Sequence, residues 1–180
     1  MKLLRIALAG CCAAGWTSVL GWAETGQAIL KGTQPGSPVG GMVALQDTPG
    51  GLKIDARIIQ APPGKHAFHI HEFGGCDDAG KAAGSHYNPA CHPHGNMIQD
   101  GIAKTHAGDF GNITIDADGR GALQAVIPGL ALSHGEANVA GRAFILHEKA
   151  DDFSQPVGNA GARIGCGPIL TAPSPQGGSR

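Results

Sequence analysis

The sequence predicts a single all-β domain of seven or eight short antiparallel strands. Its 180 residues are enough for one hydrophobic core and too few for two ordinary domains. The 30 glycines and 12 prolines, with only 4% aromatic residues, are typical of many short strands joined by turns and disfavour a helical bundle. The third observation is the alternation of apolar and polar residues along several short segments.

This alternation is clearest in 52–58, where apolar and polar residues follow each other with a period of two. A strand has this pattern when one face packs on a core and the other faces water. Weaker patterns of the same kind predict further strands at 27–31, 41–46, 67–71, 112–116, 121–126 and 141–147. Two turn-rich segments are predicted to join neighbouring strands, namely 48–51 and 116–120.

Two long loops interrupt the predicted strands. The first occupies about forty residues between His71 and Asn112, a length that is uncommon in a compact domain unless the loop is functional or cross-linked. The second covers 149–163. We predict that the domain spans 24–170 and that the tail 171–180, which is rich in Pro, Gly and Ser, is disordered.

The N-terminal residues 1–23 have the features of a secretory signal peptide. Lys2 and Arg5 precede an apolar stretch that ends in small residues at Gly21–Ala23. The alternative is a lipoprotein signal, because Leu8–Cys11 resembles a lipoprotein box; cleavage before Cys11 would then give a lipid anchor. Both interpretations predict a periplasmic or secreted protein.

Removal of residues 1–23 leaves 11 basic and 14 acidic residues, a formal charge of −3. A negative chain of this kind is a poor partner for nucleic acid, which we exclude. Three cysteines remain, Cys76, Cys91 and Cys166, in what should be an oxidising compartment. They predict one disulfide and one spare thiol.

Histidines and one aspartate are spaced to hold metal ions. His69 and His71 lie two apart on a predicted strand, so both side chains face one side while Phe68 and Ile70 face the core. Three histidines and one aspartate suit a closed tetrahedral zinc site, and four imidazoles suit copper. The first loop supplies four further candidates, His86, His94, His106 and Asp109. A flexible His-rich metal buffer is disfavoured because the intervening residues are not of low complexity.

Five segments resemble copper/zinc superoxide dismutase, of the exported bacterial type, in both order and spacing: 66–72, 83–89, 106–109, 147–152 and 158–167. The resemblance covers roughly Ala28 to Leu170. It implies a Greek-key antiparallel β-barrel or sandwich with two long functional loops. It also implies an enzyme that converts superoxide to dioxygen and hydrogen peroxide.

The same resemblance implies a role for each candidate ligand. One copper per subunit would be bound by His69, His71, His86 and His147, and one zinc by His86, His94, His106 and Asp109. His86 would bridge both ions, and on copper reduction its ring would take up a proton for delivery to peroxide. Asp151 would connect a copper-binding histidine to a zinc-binding one and fix their orientation.

The resemblance further implies that Arg163 attracts the superoxide anion and that Cys76 and Cys166 form the disulfide.

The sequence departs from eukaryotic relatives of this family in two places. The segment 153–157 lacks charged residues, so we expect the guidance of superoxide to be weaker or rearranged. Cys76 follows His71 by only five residues and is followed by a longer run, 77–85. In eukaryotic relatives this segment helps form the dimer contact, so the resemblance leaves the oligomeric state open, with a homodimer as one possibility. Cys91, next to His92, is either a spare loop thiol or an extra thiolate near zinc.

Overall fold

Eight antiparallel strands close into a barrel in the computed structural model, which describes residues 23–172. The strands are β1 (Thr25–Gly32), β2 (Gly40–Thr48), β3 (Gly51–Ile59), β4 (Gly64–His71), β5 (Asp109–Ile115), β6 (Gly121–Ile127), β7 (Ala143–His147) and β8 (Arg163–Thr171). Helix in this part of the chain is limited to a 3-10 turn at Lys81–Ala83 and a single α-turn, α1 (Met97–Asp100). Residues 1–22 of the predicted signal peptide and 173–180 of the predicted tail lie outside the described residues.

Around the barrel the strands follow the order β1-β2-β3-β6-β5-β4-β7-β8. Because β4 lies between β5 and β7, the chain crosses over after β3 and again after β6, as in a Greek key. The predicted all-β Greek-key barrel is therefore confirmed. No helix within 23–172 has both the length and the apolar character needed to cross a membrane.

The alternation that predicted the strands is visible in their burial. In β3 the side chains of Leu52, Ile54 and Ile58 are buried, whereas Lys53 and Arg57 are exposed. The predicted hairpins at 48–51 and 116–120 join β2 to β3 and β5 to β6.

Several strand ends differ from the sequence prediction by one to three residues. β5 begins at Asp109 rather than at Asn112, and the additional strand β8 extends through Thr171, one residue into the predicted tail. β8 has no clear alternation because Gly165, Gly167 and Pro168 occupy three of its nine positions.

Three phenylalanine rings form the part of the core that supports the strands β4, β5 and β7. Phe68 stacks on Phe144, with ring centroids 5.0 Å apart and planes 9° apart, and Phe110 lies 6.4 Å and 5.8 Å from these two rings. All three side chains are at most 1% exposed. Each of these strands also carries histidine or aspartate candidates, so the aromatic cluster fixes their backbones relative to one another.

The first long loop, residues 72–108, is held against β4 by main-chain hydrogen bonds. The Ile70 N–H donates to Gly108 O and the Tyr87 N–H donates to Ile70 O, both at 2.9 Å. The contact requires a glycine, because a Cβ at Gly108 would collide with the carbonyl oxygen of Ile70. These bonds bring His86 beside His71, with which it forms an isolated antiparallel bridge.

A disulfide joins the same loop to β8. Cys76 and Cys166 are bonded, with Cα atoms 5.8 Å apart and a sequence separation of 90, while Cys91 is a free, exposed thiol. The pairing implied by the resemblance is therefore present in the structure. The cross-link closes a large segment that includes the strands β5, β6 and β7.

Replacing both bonded cysteines, Cys76→Ser with Cys166→Ser, should lower the free energy of unfolding of the metal-free protein. The chain-entropy relation for a closed segment of this size gives about 4–5 kcal/mol as the largest expected loss. Urea unfolding under non-reducing conditions measures it. Cys91→Ser is the matched control and should change stability by less than about 0.5 kcal/mol, because this thiol is exposed and unbonded. Equal losses in the two proteins would contradict the prediction.

Candidate metal centre

Two groups of ligand-type side chains share one member, His86. In each group one ligand atom per residue lies within 4.8 Å of the others. None of the seven residues is more than 7% exposed. The first group is His69, His71, His86 and His147, and the second is His86, His94, His106 and Asp109. The structure thus brings together all seven candidate ligands of the sequence analysis.

Strands supply four of these residues and the loop 72–108 supplies the other three. His69 and His71 project from the end of β4, Asp109 begins β5 and His147 ends β7. β4 pairs with β7 at this end, which places the Nε2 atoms of His71 and His147 3.3 Å apart. The barrel strands therefore supply three of the four residues of the first group, and the loop supplies three of the four residues of the second.

Unpaired ring nitrogens show that both groups suit metal ions. Among the described residues, only three buried side-chain nitrogen or oxygen atoms have no hydrogen-bond partner, and two of them are Nδ1 of His69 and Nδ1 of His94. A buried nitrogen lone pair without a partner is unfavourable unless it binds a cation. His94 Nδ1 lies 2.7 Å from Asp109 Oδ2, as expected of two ligands that converge on one ion.

The Asp151 carboxylate connects the two groups. Nε2 of His69 donates to one of its oxygens and Nε2 of His94 donates to the other, both at 2.9 Å. The side chains of all three residues are fully buried. Because Nε2 of each ring donates to Asp151, Nδ1 is the ring atom that faces the ligand group and can bind a metal.

Two side-chain amides fix the main chain of Asp151 and of His94, and the sequence analysis identified neither. Asn112 exchanges two hydrogen bonds with the main chain of Asp151, at 2.7 and 3.0 Å. Gln155 does the same with the main chain of His94, at 2.9 and 3.1 Å, while the Phe153 ring stacks beside the His94 ring. The charge-poor segment 153–157 thus secures a candidate zinc ligand, a role that only long-range contacts reveal.

Burial and neighbouring charges shift the pKa of His94 in the direction opposite to those of His71 and His147. Burial lowers the pKa of His71 to about 2 and that of His147 to about 3, so both rings are neutral at pH 7. Burial also lowers the pKa of His94, but the carboxylates of Asp109 and Asp151 outweigh it and raise that pKa to about 9. A cation bound beside His94 would take the place of this proton.

Arg163 borders the first group. Its guanidinium donates to the carbonyl oxygens of Gly80 and Gly84, both at 2.6 Å, and burial lowers its pKa. It lines a pocket of about 440 Å³ together with His71, His86 and His147. Among the residues that line this pocket, Arg163 carries the only fixed charge. The pocket therefore offers a small anion one cationic contact next to the histidines.

The remaining cysteine and histidines lie outside the two groups. Cys91 is exposed and in neither group, which favours a spare thiol over a zinc ligand. Nδ1 of the neighbouring His92 lies 3.1 Å from Ile102 O. His66 is buried inside the barrel, and its ring nitrogens lie 2.8 Å from the carbonyl oxygens of His147 and Pro62.

The arrangement of this centre agrees with a match to a protein family. The family profile for copper/zinc superoxide dismutase (SODC) matches residues 39–169, which is more than half of the chain. The chain belongs to the copper/zinc superoxide dismutase family. Its two metals are accordingly copper and zinc, and its reaction is the dismutation of superoxide.

Individual members of the family and one solved structure are also similar. Superoxide dismutase [Cu-Zn] 2 of Mesembryanthemum crystallinum is 35% identical over 137 residues, which cover 72% of this chain and 85% of the plant protein. The extracellular superoxide dismutase [Cu-Zn] of Caenorhabditis elegans is 39% identical over 127 residues, covering 67% of this chain and 56% of the nematode protein. A crystal structure of the clock protein EA4 superposes with a TM-score of 0.71 at 31% identity and covers 83% of this chain and 96% of that one.

Gln155→Ala should weaken zinc binding in this family member by about tenfold or more. The substitution removes both hydrogen bonds to the His94 main chain, and loss of a partner that orients a ligand generally costs about 10–100-fold in metal affinity. Competition with a chromophoric chelator measures the zinc affinity. Gln46→Ala, at an exposed position on β2, is the matched control and should bind zinc as the wild type does. Unchanged zinc affinity in Gln155→Ala would exclude this positioning role.

Proposed function

We propose that superoxide dismutation takes place where His69, His71, His86 and His147 hold copper, and that His86, His94, His106 and Asp109 hold zinc. The observation that carries this division is that His86 belongs to both groups of ligand atoms. Four imidazoles suit copper, whereas three imidazoles and one carboxylate suit a closed zinc site. In the reaction two superoxide anions and two protons give one dioxygen and one hydrogen peroxide.

Bound copper supplies the one-electron redox chemistry, while the protein residues orient the ligands and handle the protons. Nδ1 of His86 lies 2.8 Å from Asp109 Oδ1, on the zinc side, which leaves Nε2 as the ring atom for the copper side. His86 also lines the pocket that contains Arg163. We therefore assign His86 Nε2 as the atom that holds the proton destined for peroxide.

Arg163 is proposed to attract and orient the superoxide anion. The chain is net negative, at −1 over its full length, so attraction of an anion must come from local positive charge. The hydrogen bonds from Arg163 to Gly80 and Gly84 fix the guanidinium beside the histidines, and Val157 and Ala160 on the opposite loop add no charge to the pocket. Guidance of superoxide in this protein then depends mainly on Arg163 and the metal ions.

Reciprocal substitutions test the division of the ligands. His147→Ala should reduce bound copper from one equivalent to a small fraction and abolish dismutation, while zinc stays near one equivalent. His106→Ala should lower zinc and leave most of the copper, because each residue belongs to one group only. Metal content by mass spectrometry, measured alongside superoxide consumption, gives both readouts. Equal loss of both metals in both variants would refute the division.

Arg163→Gln should lower the rate of superoxide consumption by about tenfold or more and reduce its dependence on ionic strength. Electrostatic steering of charged ligands generally raises association rates by about 10–10³, and enzymes of this class are an established example. Arg163→Lys should keep the salt dependence, because it keeps the charge. Pulse radiolysis at several salt concentrations, at equal copper content, measures both. The proposal fails if Arg163→Gln retains the rate and salt dependence of the wild type.

Export is the third part of the proposal. The disulfide of the described domain suits an oxidising compartment, and the nematode relative is named as extracellular. We propose that residues 1–23 direct the chain to the periplasm or the exterior and are then removed. The mass of the N-terminal peptide of the exported protein distinguishes cleavage after Ala23 from lipidation at Cys11.

A homodimer through β1 and β8 completes the proposal. Ile29 and Leu170 are 45% and 62% exposed and line one groove beside the disulfide, together with Pro168. Burial of such a groove between two copies would remove apolar surface from water. Sedimentation equilibrium at micromolar concentration should give twice the mass of one chain.

A further inference from the structure

A third group of ligand-type side chains lies outside the copper/zinc centre. It consists of Glu24, which precedes β1, Asp47 in β2 and His134 in the connection between β6 and β7. One ligand atom from each lies within 4.8 Å of the others. None of the three belongs to the copper or zinc group, and the dismutation reaction assigns them no role.

An unpaired oxygen marks this group in the same way as the metal centre. Three buried side-chain atoms in the described part of the chain lack a hydrogen-bond partner, and two of them, on His69 and His94, face the copper and zinc groups. The third is Oδ2 of Asp47. This oxygen faces the His134 ring at 3.4 Å without a hydrogen bond, and its side chain is only 14% exposed, so a bound cation would satisfy it more fully.

The position of Asp47 is fixed by the fold. Its Oδ1 accepts the Leu132 N–H at 2.9 Å, and its side chain is only 14% exposed. Its own main-chain N–H donates to the carbonyl oxygen of Glu24 at 2.9 Å, which ties the segment before β1 to β2. With Oδ1 engaged, Oδ2 is left directed at Glu24 and His134.

The distance between His134 and Asp47 suits two ligands of one ion. His134 Nδ1 lies 3.4 Å from Asp47 Oδ2, and no hydrogen bond forms between them. Two ligand atoms at about 2.1 Å from a tetrahedral zinc are about 3.4 Å apart. At the copper/zinc centre the His94 Nδ1 and Asp109 Oδ2 atoms likewise approach closely, at 2.7 Å.

Glu24 supplies the third ligand. One of its carboxylate oxygens accepts a hydrogen bond from the Ser133 hydroxyl, which orients the side chain towards the β6–β7 connection and leaves the other oxygen available. Two carboxylates held this close repel each other unless a cation lies between them. Two carboxylates and one imidazole form a ligand set typical of zinc.

We propose that Glu24, Asp47 and His134 form a third divalent metal site, suited to zinc and completed by water. His134 is 71% exposed, so the site is open to solvent and exchanges its ion more readily than the buried centre. A bound ion would fasten the segment before β1 and the β6–β7 connection to β2. The bound ion would therefore stabilise the fold. The site is independent of the residues that perform dismutation.

Zinc titration of the full protein, already loaded with one copper and one zinc, tests the site. Calorimetry should detect one further equivalent of zinc in the wild type. Its affinity should fall at least tenfold in Asp47→Asn and in His134→Ala. Asp47→Asn keeps an oxygen for the Leu132 N–H, and His134 is exposed, so both variants should fold. Glu136→Gln, which removes an exposed charge from the same connection, is the matched control and should bind as the wild type does.

Nuclear magnetic resonance locates the added ion. Zinc at saturation should shift the ring signals of His134 and the amide signal of Leu132, and both shifts should be absent in Asp47→Asn. Three outcomes would overturn the proposal: no further equivalent in the loaded wild type, unchanged affinity in both variants, or a His134 ring unaffected by saturating zinc. Because loaded protein is used, none of these outcomes depends on the assignment of copper and zinc ligands.

Discussion

The buried carboxylate of Asp151 is the interaction on which the metal centre depends. It accepts one hydrogen bond from His69 and one from His94, so a single side chain sets the orientation of a ring in each ligand group. Its own position is secured by Asn112, and Gly158 leaves the space it needs, since a Cβ there would collide with the carboxylate. Rigid placement of the rings before a metal arrives lowers the cost of organising the ligands around it.

Around this carboxylate the protein divides its tasks between the barrel and its loops. The barrel contributes ligands at the adjoining ends of β4, β5 and β7, where the stacked rings of Phe68, Phe110 and Phe144 hold the strands together. The loop 72–108 contributes the rest, and the disulfide and the close contact at Gly108 keep it against the barrel. The proposed copper ligands therefore come mostly from rigid strands, and the proposed zinc ligands mostly from a loop that is fastened to the barrel.

Fastening the loop also positions the cationic contact for the substrate. Arg163 begins β8 three residues before Cys166, and its guanidinium is bonded to the carbonyl oxygens of Gly80 and Gly84, just beyond Cys76. The disulfide and the arginine thus secure the same part of the loop. The short segment 153–157, which contributes no charge to the pocket, instead holds His94 through Gln155 and Phe153. In this protein the loop that faces the pocket therefore contributes contacts to His94, a proposed zinc ligand, and no charge to the pocket.

The sequence by itself determined the all-β class and the types of ligand side chain, and through family resemblance it predicted a division into two metal sites around His86. These properties are local or follow fixed spacings: alternation reports which strand face is buried, and the spacing of His69 and His71 places both on one side of β4. Only the tertiary structure decided the contacts of Asn112, Gln155 and Gly158, the start of β5 at Asp109 and the approach of Asp47 to His134. Such contacts join residues that are far apart in the chain, and their geometry is set by how the barrel closes and where its loops pack rather than by any pattern along the sequence.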